Sequence, residues 1–227
     1  MKQILVLLVS FFALYNVNAQ DQKITKELQA FTEVKGFDGI SINLIKSDTN
    51  KAVISGENGS KVVIVNNDGV LKLRMQLDKI FSGYRTFVDL YYSEDLIIID
   101  VNEDARISSE EIMVQDVLEL KAQEGGEIEI LAQVEQLLIK TVTGGVIKTT
   151  GTSDLQDVAI NTGGVYEGKN LKTKFSTVNV NAGSRAEIFA IDYVKATVKA
   201  GGEVLVYGDP AKMEEKTVFG GTVTRMQ

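Results

Sequence analysis

Short runs of alternating apolar and polar residues, separated by pairs of glycine, recur along the second half of the chain. The pairs end at Gly126, Gly145, Gly164, Ser184, Gly202 and Gly221, with steps of 19, 19, 20, 18 and 19 residues between them. The alternation predicts β-strands with one apolar face, and the glycines predict turns between the strands. A nearly fixed step over six units indicates one repeated architecture.

Apolar residues keep fixed offsets from the end of each glycine pair. Two positions later lie Ile128, Ile147, Tyr166, Ala186, Val204 and Val223; four positions earlier lie Ala122, Thr141, Ile160, Val180, Val198 and Thr217; six positions earlier lie Leu120, Ile139, Val158, Val178, Ala196 and Glu215. A third, less regular group consists of Val134 or Leu137, Leu155, Leu171 or Phe175, and Ile191 or Val194. A unit of this size cannot bury its inner face alone, so each unit must stack on its neighbours.

Stacking of equivalent positions predicts an all-β fold, a parallel β-helix or β-solenoid of about 19 residues per coil with an aliphatic interior. The general preference of parallel crossovers favours a right-handed coil. One corner should carry a structural column of turns, where the backbone needs φ values that residues other than glycine resist. This column comprises Gly125, Gly126, Gly144, Gly145, Gly163, Gly164, Gly183, Ser184, Gly201, Gly202, Gly220 and Gly221.

Before residue 101 the strand pattern persists, but the fixed step is lost. Residues 31–58 predict two strands joined at 47–50, Asp68-Gly69 predicts a hairpin, residues 77–82 predict an excursion, and residues 86–92 predict a strand near the first coils. The predicted organisation is a signal peptide (1–19), an N-terminal linker (20–32) and one solenoid domain (33–227), whose residues 33–100 form irregular first coils or a cap and whose residues 101–227 form regular coils.

The N-terminus has the pattern of a secretory signal peptide. Lys2 precedes an apolar run over residues 4–15, and Val17-Asn18-Ala19 fits a small-residue cleavage site between Ala19 and Gln20. The run is too short to span a bilayer, and no other stretch is apolar enough to predict a transmembrane segment. We therefore expect export, either to the periplasm or to the outer cell surface.

Composition removes several classes of chemistry. The chain has no cysteine and no histidine, which excludes disulfides, thiolate nucleophiles, histidine-dependent triads and histidine-bearing zinc sites. The formal net charge is −7, and loss of Lys2 with the signal peptide makes it more negative. An acidic chain is a poor partner for nucleic acid, because phosphate contacts need a basic surface.

Acidic residues offer a weak case for catalysis or metal binding. Glu129, Glu167 and Glu187 fall on an outward position that they share with Lys148, and a run of acids extends from Glu94 to Asp104. The first pattern is typical of a solvated, charge-mixed face, and the second lacks the spacing of a preformed calcium loop. No catalytic residue, metal ligand or cofactor is predicted.

Tyrosines in the irregular segment are the candidates for ligand contact. Tyr84, Tyr91 and Tyr92 cluster there, with Phe81, Phe87 and Arg85 nearby. Their rings would stack on sugar rings or bury in a protein partner; alternatively, alternate members pack on the first coils.

The order of elements resembles a known family. VKGFDGISINLIKSD, then VISGENGSKVVIVNNDGVLKLRM, then glycine-centred repeats are similar to the DUF2807 family, the auto-transporter adhesin head or GIN domain, over roughly residues 33–227. The resemblance implies a pectin-lyase-like right-handed β-helix secreted by Bacteroidota, without the catalytic residues of the lyases, and a role in cell adhesion. It supplies no functional residues.

Three functions remain open from the sequence. The first is a secreted, non-catalytic binding or adhesion protein of the cell envelope, with an envelope glycan or a protein surface as partner. The second is a carbohydrate-active enzyme, a lyase or glycosidase, that uses outer-face carboxylates. The third is a structural envelope protein that forms homo-oligomers through the solenoid ends, where Glu214, Glu215, Lys216 and Arg225 lie close to the last coil.

Overall fold

The computed structural model describes residues 23–226, so the predicted signal peptide and the Ala19–Gln20 cleavage site lie outside the described residues. Within that range the chain forms strands and two short 3₁₀ turns, at Gly59–Lys61 and Leu77–Lys79. The strands are β1 (Ile24–Glu27), β2 (Glu33–Gly36), β3 (Ser41–Lys46), β4 (Lys51–Gly56), β5 (Val62–Asn67), β6 (Val70–Met75), β7 (Thr86–Tyr92), β8 (Ile98–Val101), β9 (Arg106–Ala122), β10 (Glu127–Thr141), β11 (Val146–Ile160), β12 (Val165–Val180), β13 (Arg185–Lys199), β14 (Glu203–Tyr207), β15 (Lys212–Val218) and β16 (Thr222–Arg225).

From β9 onward the strands stack in parallel, one coil upon the next. Ile128 lies between Ile107 and Ile147, and Ile139 lies between Leu120 and Val158, so the register advances by one repeat per coil. The protein is a β-solenoid of about seven turns with about 19 residues per turn, which confirms the predicted fold class.

Each coil has three sides around a single core. Along β12 the alternation of buried and exposed residues breaks at two exposed doublets, Lys169–Asn170 and Lys174–Phe175. Each doublet turns a corner, because two successive outward side chains shift the phase of the alternation. Tyr166, Leu171 and Val178, one from each side, are fully buried.

The third apolar group was predicted only in part. Val134, Leu137, Leu171 and Val194 are buried, whereas Leu155, Phe175 and Ile191 are 45%, 44% and 48% exposed. Gln156 and Ser176 point inward in place of their apolar neighbours, because the corner doublet moves the inward position by one residue. These buried amide and hydroxyl groups satisfy each other: the Ser176 hydroxyl donates to Gln156 Oε1 at 3.2 Å.

Gly144 and Gly145 are favoured for different physical reasons. Gly144 has φ +74° and follows Thr143 at φ +48°, so a left-handed conformation explains the first glycine of the pair. Gly145 does not have a positive φ; a Cβ added there would collide with the carbonyl oxygen of Ala122 in the preceding coil. The predicted φ requirement therefore does not apply to Gly145, where close approach of the Ala122 backbone excludes a side chain.

In the N-terminal part antiparallel pairs are added to parallel ones: β3 pairs in parallel with β7 and β9, and β2 pairs in parallel with β6 and β8. β1 pairs with β4 and β4 with β7, while β5 and β6 form the hairpin expected around Asp68-Gly69. The segment predicted as a linker, residues 20–32, contains β1 and the buried Phe31. Ile24 and Leu28 of the same segment also pack against the core.

Candidate functional site

The excursion between β6 and β7 is fastened by a buried aspartate. Asp38 is only 4% exposed, and its carboxylate accepts hydrogen bonds from the backbone N–H groups of Met75 at 2.9 Å and Phe81 at 3.3 Å. Its backbone carbonyl accepts another from Gly83 N–H at 2.9 Å. Sequence analysis missed this residue; its position in an Asp-Gly turn was the available signal.

Tyr84 is held over the column of turns by this clamp. A Cβ added at Gly39 would lie 3.2 Å from the Tyr84 ring, so glycine lets the ring pack on the turn. The phenol oxygen donates a hydrogen bond to Asp104 Oδ2 at 2.7 Å, and this bond raises the pKa of Tyr84. The side chain is nevertheless 57% exposed. The ring is thus fixed in position while much of its surface contacts solvent.

Phe87 forms a second exposed aromatic surface beside Tyr84. It points outward from β7, is 52% exposed, and lies next to Ser41, which lies next to Arg106 in the following strand. Because Ser41 and Asn43 of β3 carry short side chains at outward positions, the sheet surface is hollow between Phe87 and the longer side chains of β10.

Two adjoining hollows form one open groove on this surface. Their volumes are about 570 and 550 Å³, and they share Ser41, Phe87, Arg106 and Glu127. We call this surface the aromatic groove and define it by Ser41, Asn43, Tyr84, Phe87, Asp104, Arg106, Glu127, Glu129 and Lys148.

Two ion pairs lie along the aromatic groove. Arg106 Nη2 lies 3.0 Å from Glu127 Oε1, and Lys148 Nζ lies 2.6 Å from Glu129 Oε1. The second contact raises the pKa of Lys148. Such pairs offer hydrogen-bond donors and acceptors to a polar ligand.

The other predicted outward acids sit in similar surroundings. Glu187 contacts Arg185 at 2.7 Å and Lys169 at 3.7 Å, while Glu167 follows Lys148 in the parallel ladder. These neighbouring cations fit the predicted charge-mixed face, but Glu187 is only 8% exposed, so its position is not solvated as predicted.

The four predicted contact residues do not form one surface. Tyr91 lies outward on the same strand as Phe87, with Lys51 Nζ 4.6 Å from its ring centroid, and Arg85 is a largely exposed partner of Glu57 at 2.6 Å. Tyr92 points into the core and is 3% exposed; burial raises its pKa to about 12. Tyr92 is therefore not available for ligand contact, because alternation along β7 sends it inward.

The acidic run at 94–104 is dispersed by the fold. Asp95 contacts Lys46 at 2.8 Å, Asp100 contacts Lys35 at 3.4 Å, and Asp104 accepts the bond from Tyr84. Among residues 23–226, no group of three or more acidic side chains is arranged to hold a metal ion.

Solved structures share this architecture. A putative adhesin from Bacteroides fragilis superposes with a TM-score of 0.80 at 18% identity, over 90% of this chain and 97% of the other. A putative adhesin from Parabacteroides distasonis gives 0.73 at 19% identity over 92% and 98%, and a putative lipid binding protein from the same species gives 0.69 at 13% over 92% and 98%. At these identities the likeness establishes the fold alone.

A comparison with curated proteins gives no match. The family model described as "Putative auto-transporter adhesin, head GIN domain", DUF2807, matches residues 30–210, which include five of the six glycine-pair turns and the strands that form the aromatic groove. The chain therefore belongs to the DUF2807 family.

Proposed function

We propose that this protein is an exported, non-catalytic binding protein of the bacterial cell envelope, with an adhesion-type role, and that the aromatic groove binds a glycan. The observation that carries the proposal is the pair of exposed aromatic rings, Tyr84 and Phe87, beside hydrogen-bonding groups in a concave surface. Membership of an adhesin-type family supports the general role.

The chemistry of the groove suits a sugar chain. Aromatic rings provide an apolar surface for the C–H faces of a sugar ring, and the paired Arg106 and Glu127 provide donors and acceptors for its hydroxyl groups. The Tyr84 ring is already positioned by Gly39 and Asp104, so little side-chain freedom is lost on binding. An open groove also admits an internal segment of a long polymer.

Export is supported by the signal-peptide pattern, with cleavage between Ala19 and Gln20. Among residues 23–226, no helix is both long and apolar enough to cross a membrane. We place the protein in the periplasm or on the outer cell surface.

Association through the solenoid end is a weaker alternative. Strand β15 pairs on one side with β13, and its inward positions carry Glu215 and Thr217, which are exposed. A charged residue at an inward position of an edge strand opposes pairing with another chain. We therefore do not include end-to-end assembly in the proposed function.

The proposal is tested with residues 20–227 on a glycan array and in polysaccharide pull-downs, with and without calcium. Phe87→Ala should weaken binding of any positive glycan about tenfold, the equivalent of roughly 1.4 kcal/mol of stacking contact. Tyr84→Ala should also weaken binding. Phe175→Ala removes an aromatic side chain of similar exposure from another part of the coil and serves as the matched control.

Two outcomes would overturn this function. Cleavage of a bound polysaccharide, detected by a product assay, would indicate a carbohydrate-active enzyme. Glycan binding that is equal in the Phe87→Ala variant and the wild type would remove the aromatic groove as the binding surface.

A further inference from the structure

The excursion between β6 and β7 carries three large apolar side chains that the fold leaves in contact with solvent. Leu77, Ile80 and Phe81 are 82%, 44% and 57% exposed. We call these three residues the apolar tip. Exposed apolar side chains that are grouped on a folded protein mark a contact with a partner surface or a membrane. The apolar tip is therefore a candidate contact surface.

Hydrogen bonds hold the apolar tip in an ordered conformation. Lys79 N–H donates to the Gln76 carbonyl at 2.8 Å, and Ser82 N–H donates to the Lys79 carbonyl at 3.2 Å. The Asn58 side-chain amide donates to the Ser82 carbonyl at 3.1 Å and ties the excursion to the preceding strands. Because the loop is already ordered, a contact made by the tip costs little conformational entropy.

Phe81 is presented by a rare backbone conformation. Its φ is +58°, in the left-handed region that bulky residues seldom adopt. The Asp38 carboxylate accepts a hydrogen bond from Phe81 N–H at 3.3 Å and so helps to hold this conformation. Backbone strain of this kind is concentrated at functional sites. The exposed ring and the strained backbone belong to the same residue.

Three cations without an acidic partner lie beside the apolar tip. Lys72 and Arg74 line a hollow of about 420 Å³ together with Leu77 and Ile80. Lys79 lies within the excursion itself, and the three cationic side chains are exposed. None of them forms an ion pair within residues 23–226. The tip thus combines apolar side chains with uncompensated positive charge.

The carboxylates near the tip compensate little of this charge. Asp78 lies 3.3 Å from Lys61 Nζ, so that pair is neutral. Asp38 lines the hollow but is buried and accepts hydrogen bonds from backbone N–H groups. Glu103 also lines the hollow, and burial and the neighbouring Asp38 raise its pKa. Exposed charge around the tip is therefore net positive, although the whole chain has a formal charge of −7.

We propose that the apolar tip inserts into the interface of a bilayer that contains anionic lipid, where Lys72, Arg74 and Lys79 contact the lipid phosphates. Such a bilayer presents negative charge and an apolar phase at the same surface, which matches the cations beside the tip. A few side chains give a peripheral, reversible contact. The hollow shares no lining residue with the aromatic groove, so the proposal does not depend on glycan binding.

The test measures binding of residues 20–227 to vesicles by co-sedimentation. Vesicles of about 70% phosphatidylcholine and about 30% phosphatidylglycerol should bind the protein at least tenfold more tightly than pure phosphatidylcholine, because each cation near an anionic surface contributes about fivefold. Added salt should weaken this binding, since exposed charges are screened. Excess inorganic phosphate at constant ionic strength should not displace the protein, because phosphate offers no apolar phase.

Charge-removing variants locate the cationic contact. Lys72→Gln with Arg74→Gln and Lys79→Gln should weaken binding to the anionic vesicles at least tenfold. A control variant removes the same charge from three exposed lysines of the coils that also form no ion pair in the described part of the chain: Lys172→Gln, Lys199→Gln and Lys216→Gln. The control should bind the vesicles as the wild type does.

Apolar variants locate the inserted side chains. Leu77→Ser with Phe81→Asn should weaken binding about tenfold or more, since the expected loss exceeds the transfer free energy of one aliphatic side chain. Asparagine tolerates the left-handed backbone at this position. Leu155→Ser with Phe175→Ser removes a leucine and a phenylalanine of 45% and 44% exposure from the coils and should leave binding unchanged. Circular dichroism checks that each variant remains folded.

A fluorescent label tests insertion directly, because the chain has no cysteine and a single new one can be labelled selectively. A nitrobenzoxadiazole group on Ile80→Cys should become brighter and shift to the blue with anionic vesicles. The same group on Ile191→Cys, a coil position of 48% exposure, should not respond.

Several outcomes would overturn the proposal. They are failure to bind anionic vesicles, displacement by inorganic phosphate, equal losses in the two charge-removing variants, and bound protein whose Ile80→Cys label does not respond. A dimer in solution that Leu77→Ser with Phe81→Asn abolishes would also overturn it, because the occupant of the tip would then be a second copy.

Discussion

The coils from β10 to β13 and the strands before residue 101 cover the same kind of core in different ways. In the coils, each strand repeats the register of the previous one, and equivalent residues meet in parallel ladders. Before residue 101, antiparallel strands and an excursion interrupt that repetition. The aromatic groove lies where the two regions meet, since its exposed rings come from the irregular part and its ion pairs from the coils.

This difference distinguishes residues that the repeated coil constrains from residues that can vary on its surface. A repeated coil constrains the same position in every turn, so its surface varies mainly at outward residues. The irregular strands are free of that constraint and can place Tyr84 and Phe87 at an exposed site.

The largest loss of stability is expected for a substitution in the repeated turn. Gly145→Ala should lower the free energy of unfolding by about 3 kcal/mol or more, because the new methyl group collides with the Ala122 backbone and the coils must move apart. Urea unfolding followed by circular dichroism measures this loss.

The neighbouring glycine is the matched control. Gly144 has open space where a Cβ would point, so Gly144→Ala should cost only about 1–2 kcal/mol for its left-handed backbone. Equal losses in the two variants would contradict the assignment of separate roles. Other turns of the molecule accommodate a side chain at the position equivalent to Gly145, because Ile40, Ala105 and Ser184 occupy it and are buried.

The fold class could be predicted from the sequence because the same strand and turn pattern occurs in every coil. The strand pattern around Gly126 recurs near Gly145 and Gly164, so neighbouring units confirmed each other's register and gave the fold class. Gly145 could not be assigned a packing role from its neighbours in sequence, since the atom that it avoids belongs to Ala122 in the preceding coil.

The candidate site was less accessible to prediction. Tyr84 was identified by composition and position, but its partner Asp104 is 20 residues away, and no local pattern marked the two residues as neighbours in the fold. Phe87 entered as a neighbour of the tyrosines, and nothing in the sequence distinguished its exposed ring from the buried Tyr92 before the face of β7 was known.

A second prediction concerns the buried hydroxyl group of Tyr166 in the core of the coils. Tyr166 lies in the coil interior, where its hydroxyl contacts Thr149 Oγ1 at 2.7 Å and accepts from Gln156 Nε2 at 2.6 Å. Tyr166→Phe should cost about 2 kcal/mol, because it leaves a buried amide donor without its partner. Urea unfolding of the purified variant measures this cost.

A paired substitution shows whether the cost comes from the orphaned amide. Leu137 occupies the position equivalent to Gln156 in the preceding coil, so leucine is compatible with this place in the ladder. Tyr166→Phe with Gln156→Leu should recover about 1 kcal/mol relative to Tyr166→Phe alone. A double variant no more stable than the single one would show that the hydrogen-bond network is not the source of the loss.

The smallest expected effect compares two buried tyrosines through pH. Burial raises the pKa of Tyr92 in the irregular region to about 12, and burial also raises the pKa of Tyr166 in the coils. The unfolded state loses the phenol proton near pH 10 while the folded state retains it. The contribution of Tyr92 to stability is therefore complete below pH 10 and is lost as the pH rises from 10 toward 12.

Tyr92→Phe measures how much of the alkaline loss of stability is due to the buried tyrosine of the irregular region. At about pH 11 the wild type should have lost about 1 kcal/mol through Tyr92, and the variant should not show this part of the loss. Urea unfolding of both proteins at about pH 8 and about pH 11 gives the difference, with Tyr91→Phe as the control because that ring faces outward. If Tyr91→Phe and Tyr92→Phe changed the alkaline loss equally, the inward orientation of Tyr92 would not be its cause.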